Sequence, residues 1–371
     1  MKIIDAHVHY ALPINPNDLI KTIEKTGATS CNLVLVPDKK FFSATPDALM
    51  IKHMTGNNYY VFTNLDVTNY FLHSKTLGKH FVSYVKKMLK CGCDGVKIIE
   101  GKPSIRRTLP VPNWDEKVWE PFFKYAEKTN LPILWHVNDP EEYWDKNNVS
   151  AIAKMNGWFY STKDINNIEQ YNQVFRLLEK FPKLNICFAH FFFFSKNLNK
   201  LDELMTRFTN IKIDLTPGIE MYKNLSIDKN KTLKFFKKYQ DRIIYGSDIC
   251  ARNVISDNKS INHNESQLRA EYVQYFIKEN KKKMINSDDD FLIGVPKFIM
   301  NPLNLENDIQ EKIFHINFEN FVKNHNKVNV RKTLKETYRI KTIIKIFSIK
   351  NKDKNPDYSH VNYVIKYFKE K

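Results

Sequence analysis

The residues best suited to chemistry begin at the N-terminus, where His7 and His9 follow an apolar run. Residues 1–9 contain β-branched side chains and are followed by a polar, proline-containing stretch, which predicts a short strand. Side chains two residues apart lie on one face of a strand, so both imidazoles share a face at its C-terminal end. They could converge on one metal ion, although a His-x-His pair alone is equally compatible with two surface histidines.

Four further residues lie in or at the ends of later predicted strands. Lys97 lies in the fourth strand, whereas His136, His190 and Asp248 end the fifth, sixth and eighth strands. One of these histidines alone would be interpreted as a core residue with a satisfied hydrogen bond. Their joint occurrence at separate strand ends instead indicates a site of imidazoles and a carboxylate, which suits one divalent metal, Zn²⁺ in the first place and Mn²⁺ or Fe²⁺ as alternatives.

The elements that must position these side chains follow a regular alternation. Strands are predicted at residues 1–9, 30–37, 59–67, 95–100, 131–137, 185–190, 211–215 and 242–248. Helices are predicted at residues 17–27, 48–54, 77–90, 119–129, 167–181, 198–208, 231–239, 266–279 and 308–323. Eight strands alternating with helices predict an α/β fold closed into a (β/α)₈ TIM barrel, whose active site lies at the C-terminal strand ends. An open doubly wound sheet is the alternative, but no glycine-rich dinucleotide turn follows a strand.

Length and cysteine content restrict the class of protein. The chain has 371 residues, enough for one large barrel with an appendage. Its five cysteines are an odd number without a Cys-x-x-Cys pair, which favours a reducing cytoplasm over a disulfide framework. No apolar run could cross a bilayer and none precedes residue 7, so we expect a cytoplasmic protein with neither transmembrane helix nor signal peptide.

The positive charge is concentrated at the C-terminus. Of the net charge of +17, residues 323–371 contribute +10, from 14 Lys and Arg against 4 Asp and Glu. RNA-recognition aromatic motifs and zinc-knuckle spacings are missing, so no nucleic-acid partner is expected. We predict that residues 326–371 form a basic helical extension packed on the barrel, with peripheral contact to a membrane surface as the alternative.

Several stretches together resemble a known family. They are residues 4–9 (IDAHVH), 95–98 (GVKI), 131–136 (LPILWH), 186–190 (ICFAH), 213–217 (IDLTP), 241–248 (DRIIYGSD) and 311–321 (EKIFHINFENF). This set resembles the amidohydrolase superfamily, in particular amidohydrolase family 2, the branch that includes aminocarboxymuconate-semialdehyde decarboxylase and related metal-dependent hydrolases. The resemblance covers residues 1–325, which are expected to form the barrel domain. The chain departs from it at residues 316–318, where a Gly-Asn step is usual.

The resemblance implies a role for each strand-end residue. His7, His9, His136 and Asp248 are implied to be metal ligands, and His190 is implied to hold or deprotonate the attacking water. Asp248 can also accept a proton, so it joins His190 as a catalytic residue. Lys97 would bridge two metals if carbamylated, or bind a substrate carboxylate as an ammonium; we prefer the reading with one metal.

Substrate contacts are expected from the loops after strands four, five and seven. Arg106 and Arg107 suggest an anionic substrate, because guanidinium groups pair bidentately with carboxylates. Trp158 and Tyr160 are predicted to form an aromatic wall over the site, and Tyr222 to lie at its rim. For each aromatic residue, packing of the loop onto the barrel is an equally good interpretation.

These observations favour an enzyme. The first hypothesis is a metal-dependent hydrolase of a small, anionic amide, lactone or ester, expected to be a homodimer. A non-oxidative decarboxylase, which is a carbon-carbon lyase with the same metal site, is the alternative. The third hypothesis, from another class, is a basic binding protein with an inert barrel and no metal.

Overall fold

The computed structural model describes residues 1–10, 15–37, 43–218, 220–250, 263–286, 297–352 and 355–371. Its central sheet consists of parallel strands in the order β8-β7-β6-β5-β4-β3-β2-β1-β9. The strands are β1 (Ile4–Tyr10), β2 (Ser30–Leu35), β3 (Tyr60–Asn64), β4 (Gly95–Gly101), β5 (Ile133–Val137), β6 (Ile186–Phe188), β7 (Ile211–Asp214), β8 (Ile243–Ile244) and β9 (Ile249–Cys250). The predicted (β/α)₈ barrel is confirmed.

The barrel closes through an interrupted last strand. β8 pairs with β7, whereas β9 pairs with β1. Between them, the backbone N–H of Ala6 donates to Tyr245 O at 3.1 Å, and that of Asp248 donates to His7 O at 3.1 Å. The continuous strand predicted over residues 242–248 is therefore divided: the N–H of Tyr245 donates to Ile313 O, outside the sheet, and Asp248 has φ of 57°. Gly246 is needed at this closure, since a Cβ there would lie 2.7 Å from Thr216 Cγ2.

Helices surround the barrel and follow the predicted alternation. They are α1 (Pro16–Lys25), α2 (Thr45–Met54), α3 (Thr68–Leu72), α4 (Leu77–Cys91), α5 (Pro103–Arg106), α6 (Glu120–Thr129), α7 (Ala151–Met155), α8 (Asn167–Lys180), α9 (Leu198–Arg207), α10 (Met221–Ile227), α11 (Lys229–Lys238), α12 (His263–Lys278), α13 (Asn307–Glu311), α14 (Asn317–Val322), α15 (Val330–Lys350) and α16 (Ser359–Lys369). A single π-helical turn, Lys312–Ile316, joins α13 to α14, and two short antiparallel strands, β10 (Lys283–Ile285) and β11 (Phe298–Met300), form a separate ribbon.

The N-terminal end of the barrel is filled by apolar side chains. Phe318 and Phe321 of α14 pack against Ile4, Phe62 and Leu134, which come from β1, β3 and β5. The pairing of β1 with β2 shifts register between Asp5 and Val8. This plug leaves the polar side chains of the strands to gather at the opposite, C-terminal mouth.

The C-terminal helices pack on the outside of the barrel. Met50 of α2 clusters with Val364 and Phe368 of α16. Glu336 of α15 accepts a hydrogen bond from Lys87 of α4 at 3.1 Å. None of the described helices is long and apolar enough to cross a membrane. The division into domains at residues 325 and 326, and contact of the tail with a membrane surface, stay predictions.

A buried ion pair joins α2 to the segment that precedes β4. Lys52 Nζ lies 2.6 Å from Asp94 Oδ2, and both side chains are inaccessible to solvent. We expect Lys52→Met to lower the free energy of unfolding by about 3–5 kcal/mol, because Asp94 would be left as an uncompensated buried charge. Urea denaturation measures this loss. The control Lys366→Met removes an exposed lysine 4.0 Å from Glu370 and should change stability by less than about 0.5 kcal/mol. A similar effect of both variants would contradict the assignment.

Candidate metal centre and active site

Three of the residues predicted as metal ligands meet at the C-terminal mouth. His7 Nε2 lies 3.2 Å from His9 Nε2, and Asp248 Oδ1 lies 3.7 Å from the first and 3.2 Å from the second. Among the described residues, these three form the one group whose ligand atoms lie within 4.8 Å of one another. The two histidines come from the same face of β1, as predicted, and Asp248 from the interruption of the last strand.

The spacing of these atoms fits a tetrahedral metal ion. Ligands bound at ~2.0–2.1 Å in tetrahedral geometry lie ~3.3 Å apart, close to the distances observed. Asp248 Oδ1 is buried and, although His9 Nε2 is near, accepts no hydrogen bond from a described residue. Burial would raise the pKa of Asp248, but the imidazoles of His9, His190 and His7 outweigh it and hold that pKa well below its ordinary value. A buried carboxylate oxygen this close to two imidazole nitrogens is suited to bind a cation together with them.

A second carboxylate sets the protonation of His7. Asp214 Oδ2, at the end of β7, lies 2.8 Å from His7 Nδ1, and both side chains are fully buried. Burial, with Lys97 and His9 nearby, lowers the pKa of His7 well below its ordinary value, so the ring is neutral. Its proton is therefore on Nδ1, donated to Asp214, and the Nε2 lone pair is directed to the metal position.

Lys97 lies against the same lone pair. Its Nζ is 2.9 Å from His7 Nε2, and the side chain is fully buried. Burial lowers the pKa of Lys97 to about 8, and the carboxylates of Asp214 and Asp248 partly oppose this. The structure thus places Lys97 beside the cluster of His7, His9 and Asp248, whereas its two predicted roles, as a carbamylated bridge or a substrate contact, stay predictions.

His190 begins a short turn after β6 and is buried. Thr216 Oγ1 donates to Asp214 Oδ1, so this hydroxyl can accept from His190 Nδ1, 3.1 Å away. With Nδ1 protonated, Nε2 of His190 carries a lone pair. Burial lowers the pKa of His190 well below its ordinary value, which keeps the ring neutral. A neutral imidazole with a free Nε2 can accept a proton from water.

His136 lies next to this group but has another polar partner. Its ring centroid is 4.9 Å from that of His190, and its Nε2 is 3.3 Å from Asp139 Oδ1. Asp139 is held in turn by Lys102 Nζ at 2.6 Å and by Tyr160 Oη at 2.5 Å. The structure therefore does not bring His136 into the three-residue cluster, and its role as a ligand stays a prediction.

The two arginines predicted to bind substrate have structural partners. Arg107 pairs bidentately with Asp164, and it also donates to the backbone carbonyls of Gly157 and Phe159. Arg106 donates to Val111 O and Pro112 O, and its burial lowers its pKa to about 10. Each guanidinium thus holds a loop rather than facing the metal position, so their contacts do not support a substrate-binding role.

The three aromatic residues predicted at the mouth are likewise engaged in packing and hydrogen bonding. Tyr160 is buried with its hydroxyl on Asp139, and the Trp158 ring lies 4.4 Å from Lys102 Nζ. Tyr222 is buried and donates to Leu215 O at 2.8 Å. Packing of these loops onto the barrel, the alternative interpretation, describes these contacts. A direct role in substrate binding stays a prediction.

The sequence interpretation missed the polar residues that support the site. Asp5 accepts from the hydroxyl of Ser247 and from its backbone N–H at 3.1 Å, which fixes the segment before Asp248. Burial raises the pKa of Asp5 to about 7. Asp139 and Thr216 were also missed, and Asp214 was not predicted as a partner of His7. Asp214 is the last residue but one of the strand predicted at 211–215, so the search for polar residues at strand ends could have found it.

The parallel barrel, with imidazoles and a carboxylate at its C-terminal mouth, places this chain among the (β/α)₈ barrels with a candidate metal site. No family model and no curated protein matches the sequence. Solved structures do match. The chain is similar to a protein from Staphylococcus aureus described as a candidate amidohydrolase, with a TM-score of 0.53 and 16% identity. It is also similar to an amidohydrolase II protein (TM-score 0.52, 12% identity) and to an uncharacterized TIM-barrel protein from Bordetella bronchiseptica (TM-score 0.50, 13% identity). Each alignment covers 87% of this chain and 99–100% of the other. This likeness confirms the fold that the resemblance implied.

The contact between Asp214 and His7 can be tested through metal affinity. We expect Asp214→Asn to weaken metal binding by about 10- to 100-fold, because the amide no longer fixes the proton of His7 on Nδ1. Competition with a chromogenic chelator measures the affinity. The control Asp202→Asn removes a carboxylate paired with Lys238 on the surface and should leave affinity unchanged. Equal affinities of all three proteins would contradict the role of Asp214.

Proposed function

We propose that the chain is a metal-dependent hydrolase that cleaves a small amide, lactone or ester. The observation that supports the proposal is the convergence of His7, His9 and Asp248, whose potential ligand atoms lie 3.2 to 3.7 Å from one another. A divalent cation held by these groups would make water a nucleophile at neutral pH and polarise a carbonyl oxygen. Zn²⁺ is the proposed ion, because it commonly takes such nitrogen and oxygen ligands. His136 is proposed as a further ligand.

His190 is the proposed general base. Its Nδ1 proton is held toward Thr216, so its Nε2 would accept a proton from the attacking water and return it to the leaving group. Asp248 is proposed as both ligand and second proton acceptor. A buried, neutral imidazole is suited to this transfer, because Nε2 can take up the proton and release it again without a large movement of the ring.

We place hydrolysis ahead of decarboxylation, which stays the alternative reaction. A decarboxylase with this metal site, the alternative reaction, would gain support from a cationic side chain free to hold the departing carboxylate. Arg106 and Arg107 were the candidates, and both hold loop carbonyls or Asp164 instead. An anionic substrate stays a prediction, since Lys97 could still bind its carboxylate as an ammonium. A cytoplasmic location and assembly into homodimers remain predictions.

Metal content is the first test of the proposal. We expect the purified chain to hold about one divalent metal ion, and Asp248→Asn to lower the affinity at least about 100-fold, because a ligand is lost. His73→Asn is the matched control, since His73 stacks on His80 outside the barrel. Elemental analysis gives the stoichiometry. Absence of bound metal, before and after incubation with Zn²⁺, would favour the basic binding protein instead.

Hydrolysis of p-nitrophenyl acetate separates binding of the metal from catalysis. We expect the activity to disappear with EDTA and to return with Zn²⁺. His190→Asn should retain the metal but lower the rate by roughly 10²- to 10⁴-fold, the contribution of a general base. Loss of metal and rate together in this variant would instead make His190 a ligand.

A further inference from the structure

A cavity of about 260 Å³ lies beside the candidate metal centre. It is formed by the segments that follow β5, β6 and β7 together with the start of α8. The lining side chains used in the argument are Glu142, Asn167, Tyr171, Phe193, Phe194 and Glu220. Its volume is slightly below the ~300 Å³ of the smallest typical ligand pockets, so it suits one end of a small molecule.

Two polar atoms of this lining are buried without a partner. Glu220 Oε2 accepts no hydrogen bond from a described residue, although other parts of the side chain retain some exposure. Asn167 Nδ2 is likewise buried and donates to no described residue. A buried polar atom without a partner costs about 1–3 kcal/mol. Both side chains line the cavity, so a ligand bound there with one donor and one acceptor could partner them.

More carboxyl groups than cations line the cavity. Glu141 pairs with Lys196 at 2.6 Å, and Glu142 lies 3.6 Å from the same lysine, so one cation serves two carboxylates at the rim. Lys196 lines the same cavity, but no Lys or Arg of the described residues forms an ion pair with Glu220. Burial, and then the carboxylates of Glu142 and Asp139, raise the pKa of Glu220 to about 8. A cationic ligand would remove this cost, whereas an anionic one would increase it.

Aromatic rings complete the cavity and connect it to the metal centre. The rings of Tyr171 and Phe194 lie 4.8 Å apart, and such faces attract cations. Phe193 also lines the cavity, and its ring is 5.4 Å from His136 and 5.1 Å from His190. A ligand in the cavity is thus one side chain away from the proposed base.

We propose that this cavity binds the primary ammonium group of an amine-bearing substrate, with Glu220 accepting its hydrogen bonds and Asn167 donating to a neighbouring oxygen of the same molecule. The assignment of the ligand as substrate rests on the proposed hydrolase function, while the binding of an ammonium group does not. The substrate is then a cationic amide, lactone or ester rather than an anionic one.

Benzylammonium chloride and benzyl alcohol test the proposal, because they share shape but differ in charge. In isothermal titration calorimetry with the full chain, we expect benzylammonium to bind at least roughly tenfold more tightly than the alcohol, as charge-assisted hydrogen bonds predict. Glu220→Gln should remove this preference. The matched control Glu141→Gln, at the rim and next to Lys196, should keep it. Equal binding of both compounds to the unaltered chain, or no binding of either, would overturn the proposal without reference to any variant.

A titration after EDTA treatment keeps this proposal separate from the metal centre. Benzylammonium should bind equally well to treated and untreated protein, because the cavity contains none of the three clustered metal ligands. Binding that disappears with EDTA would show that the amine ligates the metal, and would overturn the assignment to Glu220. A chain that lacks metal but retains the preference for benzylammonium would contradict the hydrolase function alone.

Discussion

The site depends on one buried carboxylate. Asp214 accepts hydrogen bonds from His7 Nδ1, from the backbone N–H of His190 at 2.7 Å and from Thr216 Oγ1. Burial raises the pKa of Asp214, so its charged form depends on these donors. The same group determines where both imidazoles carry their protons, directly in His7 and through Thr216 in His190. A single side chain therefore links three segments that are distant in sequence and sets the protonation of the two histidines.

The strand ends adopt the strained backbone that this arrangement requires. Asp248, Asn138 and the four residues His190–Phe193 have φ between 56° and 67°. Left-handed conformations cost side chains with a Cβ about 1–2 kcal/mol each, and they persist where the surroundings determine them. Here the N–H of Asp248 donates to His7 O and that of Asn138 to Gly101 O, so the hydrogen bonds of the barrel hold the strained residues. The turn places His190 over Asp214, and Phe193 next to His136, His190 and the cavity.

Local patterns predicted the barrel and the residues at its mouth, because strand periodicity and strand ends can be found from neighbouring residues alone. The supporting contacts could not be predicted in this way. His7 and Asp214 are 207 residues apart, and only the closed barrel brings them together. Arg107 shows the same limit: a guanidinium near predicted metal ligands suggests substrate binding, but the carboxylate it reaches depends on the path of the loop that carries Asp164. Residue type thus predicted what each side chain can bind, whereas the tertiary structure determined which residue it contacts.

Lys97 sets the remaining condition on the metal centre. His7 Nε2 has one lone pair, and Lys97 Nζ lies 2.9 Å from it. An ammonium donating to that lone pair and a cation bound by it exclude each other, both because they share one acceptor and because they repel. Metal binding therefore requires Lys97 to move away from His7 or to lose its positive charge. This holds whether the site binds one metal ion or two. Burial already disfavours the ammonium form of Lys97. Loss of its proton would therefore free the lone pair of His7 Nε2 for a metal ion.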